Sequence, residues 1–118
     1  MAWQLKIMKE KLDLLPGSLD LLVLHTLACM GPMHGYGLAR RIEQAGANTL
    51  ILNQGTIYAA LVRLVQSKWI DAEWGTSENN RRARFYSITS RGRRRLADET
   101  ETWQRMADVV QRVLTASP

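Results

Sequence analysis

The apolar period of this chain changes twice in its second half, and that change constrains the fold more than any other feature. Ile57, Leu61, Leu64 and Val65 stand at i, i+4, i+7 and i+8, one buried helical stripe. From Ile70 the period drops to two. Ile70, Ala72 and Trp74 alternate with Asp71 and Glu73, and Arg84, Tyr86 and Ile88 alternate with Phe85 and Ser87. Between them the polar segment Gly75 to Arg82 reads as the long tip of a β-hairpin. Near Thr89 the helical period returns and carries to Leu114, roughly 39 Å at 1.5 Å per residue. Leu96, Trp103 and Val110 recur every seven residues there, with Met106 and Val113 three further on. This is a short coiled-coil-like seam, and a seam without a partner in its own chain needs another chain.

Upstream, residues 3–14 carry a weakly amphipathic helical pattern that Pro16 and Gly17 break. Ser18 is placed to cap the next helix, and Asp20 puts a negative charge in its first turn, favourable against the helix dipole. That helix, Leu19 to Met30, is apolar nearly all round and belongs at the centre of a domain. Gly31 and Pro32 stop it. A shorter helix spans Tyr36 to Ala45, with Leu38 and Ile42 inward, Arg40 and Arg41 outward, and Gly46 at its end. Asn53 is a good cap for the third helix, whose outer face shows Gly55, Ala59, Val62 and Gln66, flanked by Thr56 and Arg63. Tyr58 sits at the edge between the two faces. The fold class that follows is mainly α (α+β): a winged helix-turn-helix with an N-terminal helical segment and a long C-terminal dimerisation helix. The expected division is 1–15, 16–88 and 89–118.

At 118 residues and 46% apolar content, the chain suits one ordered domain. Sixteen Lys and Arg oppose eleven Asp and Glu. The distribution matters more than the total. Between Asn79 and Ala97 there is no acid, while Arg81, Arg82, Arg84, Arg91, Arg93, Arg94 and Arg95 all fall there. Arginine forks onto phosphates and base edges, so the natural partner is a polyanion. The single Cys29 excludes an intramolecular disulfide framework and fits a reducing compartment. Leu19 to Met30 is too short to span a bilayer, and the N-terminus lacks the apolar centre of a signal peptide. A cytoplasmic protein without a membrane partner is expected. His25 and Cys29, at i and i+4, are two metal-ligand types without a third and read as core residues. No H-E-x-x-H, P-loop or serine-elbow pattern is present, so neither metal, cofactor nor enzymatic activity is expected.

Several segments together carry a family resemblance. They are Leu15 to Leu22 (LPGSLDLL), His34 to Leu38 (HGYGL), Gly55 to Leu64 (GTIYAALVRL) and Arg81 to Gly92 (RRARFYSITSRG). In that order they resemble the PadR family of bacterial transcriptional regulators, over residues 15 to about 114. The resemblance implies a winged-helix homodimer that represses by binding a pseudo-palindromic operator in double-stranded DNA. The short C-terminal region is similar to the subfamily with one dimerisation helix rather than a larger effector domain. One position departs: the family usually has proline directly after the tyrosine of the third helix, and here that residue is Ala59.

Candidate DNA-binding residues are Tyr36, Gln54, Gly55, Thr56, Tyr58, Arg63, Arg81, Arg82 and Arg84. Gln54 and Thr56 lie in the first turn of the third helix, where side chains and backbone N–H groups meet DNA. Arg63 has two readings, a phosphate contact or a solvated surface arginine; Tyr36 is either a phosphate contact or core packing. Arg81 and Arg82 at the wing tip are better placed than Arg93 to Arg95, which begin a long helix. For the dimer seam, with a pocket for a small aromatic or apolar effector as the resemblance implies, the candidates are Ile7, Met8, Leu96, Trp103, Met106, Val110 and Val113. Packing alone is the competing reading of Trp103. The rival function is a winged-helix protein-interaction module without a specific operator.

Overall fold

A computed structural model of the chain describes residue 14, residues 17–50 and residues 52–118. The helix expected over 3–14, with Ile7 and Met8, lies outside the described residues apart from Leu14, which packs against the core. The elements run α1 (Ser18–Met30), β1 (Met33–His34), α2 (Gly35–Ala45), α3 (Gln54–Gln66), β2 (Ile70–Thr76), β3 (Arg82–Ile88) and α4 (Ser90–Thr115).

Helices α1, α2 and α3 bury one shared core. Leu19, Val23, Leu24 and Leu27 come from α1, Leu38, Ala39 and Ile42 from α2, and Ile57, Ala60, Leu61 and Leu64 from α3. Each set falls at helical spacing, so one face of each helix leaves water. The cap of α1 differs from expectation: Gly17, left-handed at φ 82°, holds that position and Ser18 is the first helical residue. His25 and Cys29 are not core residues either. They stand on the exposed side of α1, with the Cys29 Sγ 3.4 Å from His25 Nε2. The low amphipathicity of this helix concealed which side faces water.

Asn53 caps α3 as expected, its side-chain oxygen accepting from the Thr56 N–H at 2.8 Å. At the end of α2 the chain reverses through Ala47 and Asn48, both at positive φ, rather than through Gly46 at φ −86°.

The hairpin pairs Ile70 with Ile88, Ala72 with Tyr86 and Trp74 with Arg84. Ile70 and Tyr86 close the core from the sheet side. Both strands run further toward the tip than expected, to Thr76 and from Arg82, leaving a turn in which the Asn80 N–H donates to the Ser77 carbonyl at 2.9 Å. A third strand, β1, had no signal at two residues long. It pairs antiparallel with β3, Met33 opposite Tyr86 and His34 opposite Phe85, giving the order β1-β3-β2. It fastens the start of α2 to the wing.

From Thr89 the chain enters α4. The Thr89 hydroxyl accepts from the Gly92 N–H at 2.9 Å and donates to the Lys68 carbonyl at 2.8 Å. One threonine thus caps the long helix and ties it to the turn between α3 and β2. The first turns of α4 pack on α1, and the helix then leaves the body. The radius of gyration is 16.6 Å, against about 13 Å for a compact domain of this length. No described helix is long and apolar enough to cross a membrane.

Candidate nucleic-acid interface

The start of α2, one edge of α3 and the outer half of the wing converge on one side of the molecule. His34, the residue before α2, accepts from the Gly37 N–H through Nδ1 at 3.0 Å. This cap fixes the first turn of α2 and turns Tyr36 outward, 58% exposed. Tyr58 of α3, 47% exposed, lies across Gly35; a Cβ there would stand 3.1 Å from the phenol ring and hydroxyl. The two half-exposed phenols flank the junction of α2 and α3.

The wing supplies the opposite wall. Trp74 is 59% exposed, beyond the core although on the core-facing side of the sheet. The Arg82 guanidinium lies 4.7 Å from its ring centre and that of Arg84 5.6 Å. Tyr36, Tyr58, Trp74, Arg82, Arg84 and Tyr86 line a cleft of about 360 Å³ between wing and helices. A second, wider hollow of about 750 Å³ brings Arg81 and Arg82 across from Tyr36 and Arg40. Among the described residues, none of Arg40, Arg81, Arg82 and Arg84 pairs with a carboxylate. Burial pushes the Tyr86 phenol above its ordinary value; the positive charge of Arg84 opposes that and Tyr58 adds to it.

Of the residues expected on this interface, Tyr36, Tyr58, Arg82 and Arg84 meet in the cleft, and Arg81 lines the hollow beside it. Gln54, Gly55 and Thr56 are exposed in the first turn of α3. The Thr56 hydroxyl is already engaged, donating to the Asn53 side chain at 2.9 Å. Arg63 stands apart. Its guanidinium donates to Asp20 of α1 at 2.7 Å, an ion pair that neither reading of Arg63 included. Arg95 likewise serves the fold, pairing with Glu99 and stacking 4.6 Å over Trp69.

Trp74 and Arg40 were not singled out from the sequence. Alternation marked Trp74 as a half-buried strand residue; its position opposite Arg84 follows only once the register is known. The helical period places Arg40 outward, and its position facing the wing depends on β1.

A separate hollow of about 260 Å³ lies where α4 crosses α1. Gly17, Ser18 and Leu21 form one side and Glu99, Thr102, Trp103 and Met106 the other. Of the residues expected at the dimer seam, Trp103 and Met106 line it, while Val110 and Val113 lie exposed further along α4. Leu96, partly buried, packs against the core of its own chain, because the first turns of α4 still lie on the body.

Three helices, a hairpin wing and a strand tying the two together define the winged-helix class. The sequence profile of the transcriptional regulator PadR-like family matches residues 23–98. The chain belongs to that family. Among solved structures it is similar to a transcriptional regulator from Clostridium thermocellum, 25% identical, TM-score 0.73, covering 81% of this chain and 89% of that one. A PadR family transcriptional regulator from Eggerthella lenta is 26% identical, TM-score 0.73, over 86% and 85% of the two chains. Bacillus subtilis PadR, solved in complex with operator DNA, shares the fold at 19% identity and TM-score 0.62, over 71% of this chain and 47% of that one.

Proposed function

We propose that this transcriptional regulator is a sequence-specific, operator-binding repressor that works as a homodimer in the cytoplasm. The observation that carries the reading is the convergence of Tyr36, Tyr58, Arg82 and Arg84 on one cleft. Two phenols and two arginines without acidic partners among the described residues suit a row of phosphates. Beside them, the exposed first turn of α3, with Gln54, Gly55 and Thr56, enters the major groove in this reading. The solved complex of Bacillus subtilis PadR with operator DNA supports it by fold.

The exposed stripe Trp103, Met106, Val110 and Val113 on α4 is the dimer seam in this reading, spacing two α3 helices about one turn of DNA apart. The hollow at Trp103 and Met106 takes a small aromatic or apolar effector that releases the operator.

Footprinting of the purified protein across a genome, followed by gel shifts over a salt series, tests the reading. A dimer neutralising roughly eight phosphates gives a slope of log K against log salt near about −7. Deleting the gene then raises transcription from the footprinted promoter. Salt-insensitive binding, no footprint, or an acidic protein recovered in place of DNA rejects the repressor and leaves an interaction module.

A further inference from the structure

We propose that Trp74 is the positioning residue of the wing: it holds the Arg82 and Arg84 guanidiniums side by side as a preformed anion fork. The inference rests on the DNA-binding reading above and adds to it a residue that does its work through two others.

The pleat dictates the arrangement. Trp74 and Arg84 are direct cross-strand partners, and Arg82, two residues earlier on β3, is the diagonal neighbour on the same face. An indole is long enough to reach both positions. The distances, 4.7 Å for Arg82 and 5.6 Å for Arg84, place both cations over one ring. Tryptophan has the most attractive face of any side chain for a cation. Stacking uses the flat face of a guanidinium and leaves its in-plane N–H donors pointing outward, the edges that fork onto phosphate.

Two further observations separate this role from simple packing. Trp74 is 59% exposed, a costly position for the largest apolar side chain if burial were its purpose. The arginines have no carboxylate partner among the described residues, so in the cleft the ring is what orders them. Without it, two long side chains of the same charge would spread apart, and binding would have to bring them together again.

The test uses the full-length protein and a duplex of about 30 base pairs selected by the wild type from a random-sequence library, enough for two half-sites with flanks. Trp74→Ala is expected to weaken binding about fivefold to tenfold. Trp74→Phe, which keeps an aromatic face, restores most of that loss. Trp74→Leu, apolar but without a π face, does not. In an Arg82→Ala/Arg84→Ala background Trp74→Ala changes affinity by less than about twofold, because the groups it acts through are gone. The idea is overturned if Trp74→Leu binds like wild type, or if Trp74→Ala costs as much without the arginines as with them. The second result would make the indole itself a contact. Should the wild type select no duplex, the DNA-binding reading fails, and the positioning role falls with it.

Discussion

The Cα of Gly92 lies against the backbone carbonyl of Trp69, and a Cβ built on it would fall 2.0 Å from that oxygen. The same carbonyl accepts from the Thr89 N–H at 3.1 Å, so it has no room to move away. Here the long helix joins the turn that leads from α3 into the wing. Gly92→Ala is expected to cost about 2–3 kcal/mol, because backbone rather than a flexible side chain would have to yield. Thermal denaturation should show a fall in Tm of roughly 10 °C or more. Arg91→Ala, one residue away and exposed, should stay within about 0.5 kcal/mol of wild type and serves as the control.

Arg63, in the last turn of α3, and Asp20, in the first turn of α1, tie the two helices together although 43 residues apart in sequence. The arginine side chain is 56% exposed and the aspartate 25%, so screening limits the pair. A double-mutant cycle should give about 0.2–1 kcal/mol of coupling. With the guanidinium held this way, Arg63→Ala should change DNA affinity by less than about twofold, whereas Asp20→Asn should raise it slightly by removing a negative charge from the protein. A large loss of affinity in Arg63→Ala alone would instead place Arg63 on a phosphate.

Gly35→Ala separates binding from stability. The added methyl meets the Tyr58 ring at 3.1 Å, and Tyr58, being exposed, can swing aside. Alanine also restricts the unfolded chain relative to glycine, worth roughly 0.4–1 kcal/mol. The fold should therefore keep its stability while DNA affinity drops several-fold, as Tyr58 leaves the cleft. Parallel melting and gel-shift measurements check this; unchanged affinity would remove Tyr58 from the interface.

These relationships mark where sequence reading succeeds and where it stops. Helix α3, the hairpin and α4 were legible because each carries a clear period, and the two helices begin at the capping residues Asn53 and Thr89. The side chains of the cleft were legible one at a time, as exposed aromatics and arginines. Their arrangement was not. The Trp74 platform depends on a register that alternation leaves undetermined, since either strand can slide by two residues and keep its faces. Strand β1 is two residues long, too short to show a period at all. The Arg63–Asp20 pair joins elements whose packing angle no local pattern encodes, and the exposed side of α1 was hidden by apolar residues all round it.

Tyr86 gives a pH signature with a definite sign. Burial raises its pKa above 10.0, more than Arg84 lowers it, so the folded chain holds the phenol's proton more tightly than the unfolded chain does. The contribution is fully present below about pH 10 and is lost as pH rises through the folded-state value. Denaturant melts at about pH 9 and about pH 11 should differ more for wild type than for Tyr86→Phe, which cannot ionise. Equal differences in the two proteins would show that the Tyr86 phenol is not linked to folding.

The outer half of α4 sets up the last expectation. Trp103, Met106, Val110 and Val113 lie on one helical stripe and are 43%, 56%, 47% and 69% exposed in the single chain. Together they form an apolar band of the kind that marks a protein interface, and spacings of three and four residues suit a helix from a second copy. Val110→Glu puts a charge in the middle of that band, where the dimer would have to bury it unpaired. Sedimentation should show wild-type dimers and mutant monomers at micromolar concentration. Val110 lies beyond the body's core, so the monomers should keep their helical signal, while operator affinity falls by a factor of about 100 or more as one half-site contact is lost. A mutant that stays dimeric would move the interface off this stripe; a monomer that binds the operator as tightly as wild type would show that one winged helix suffices.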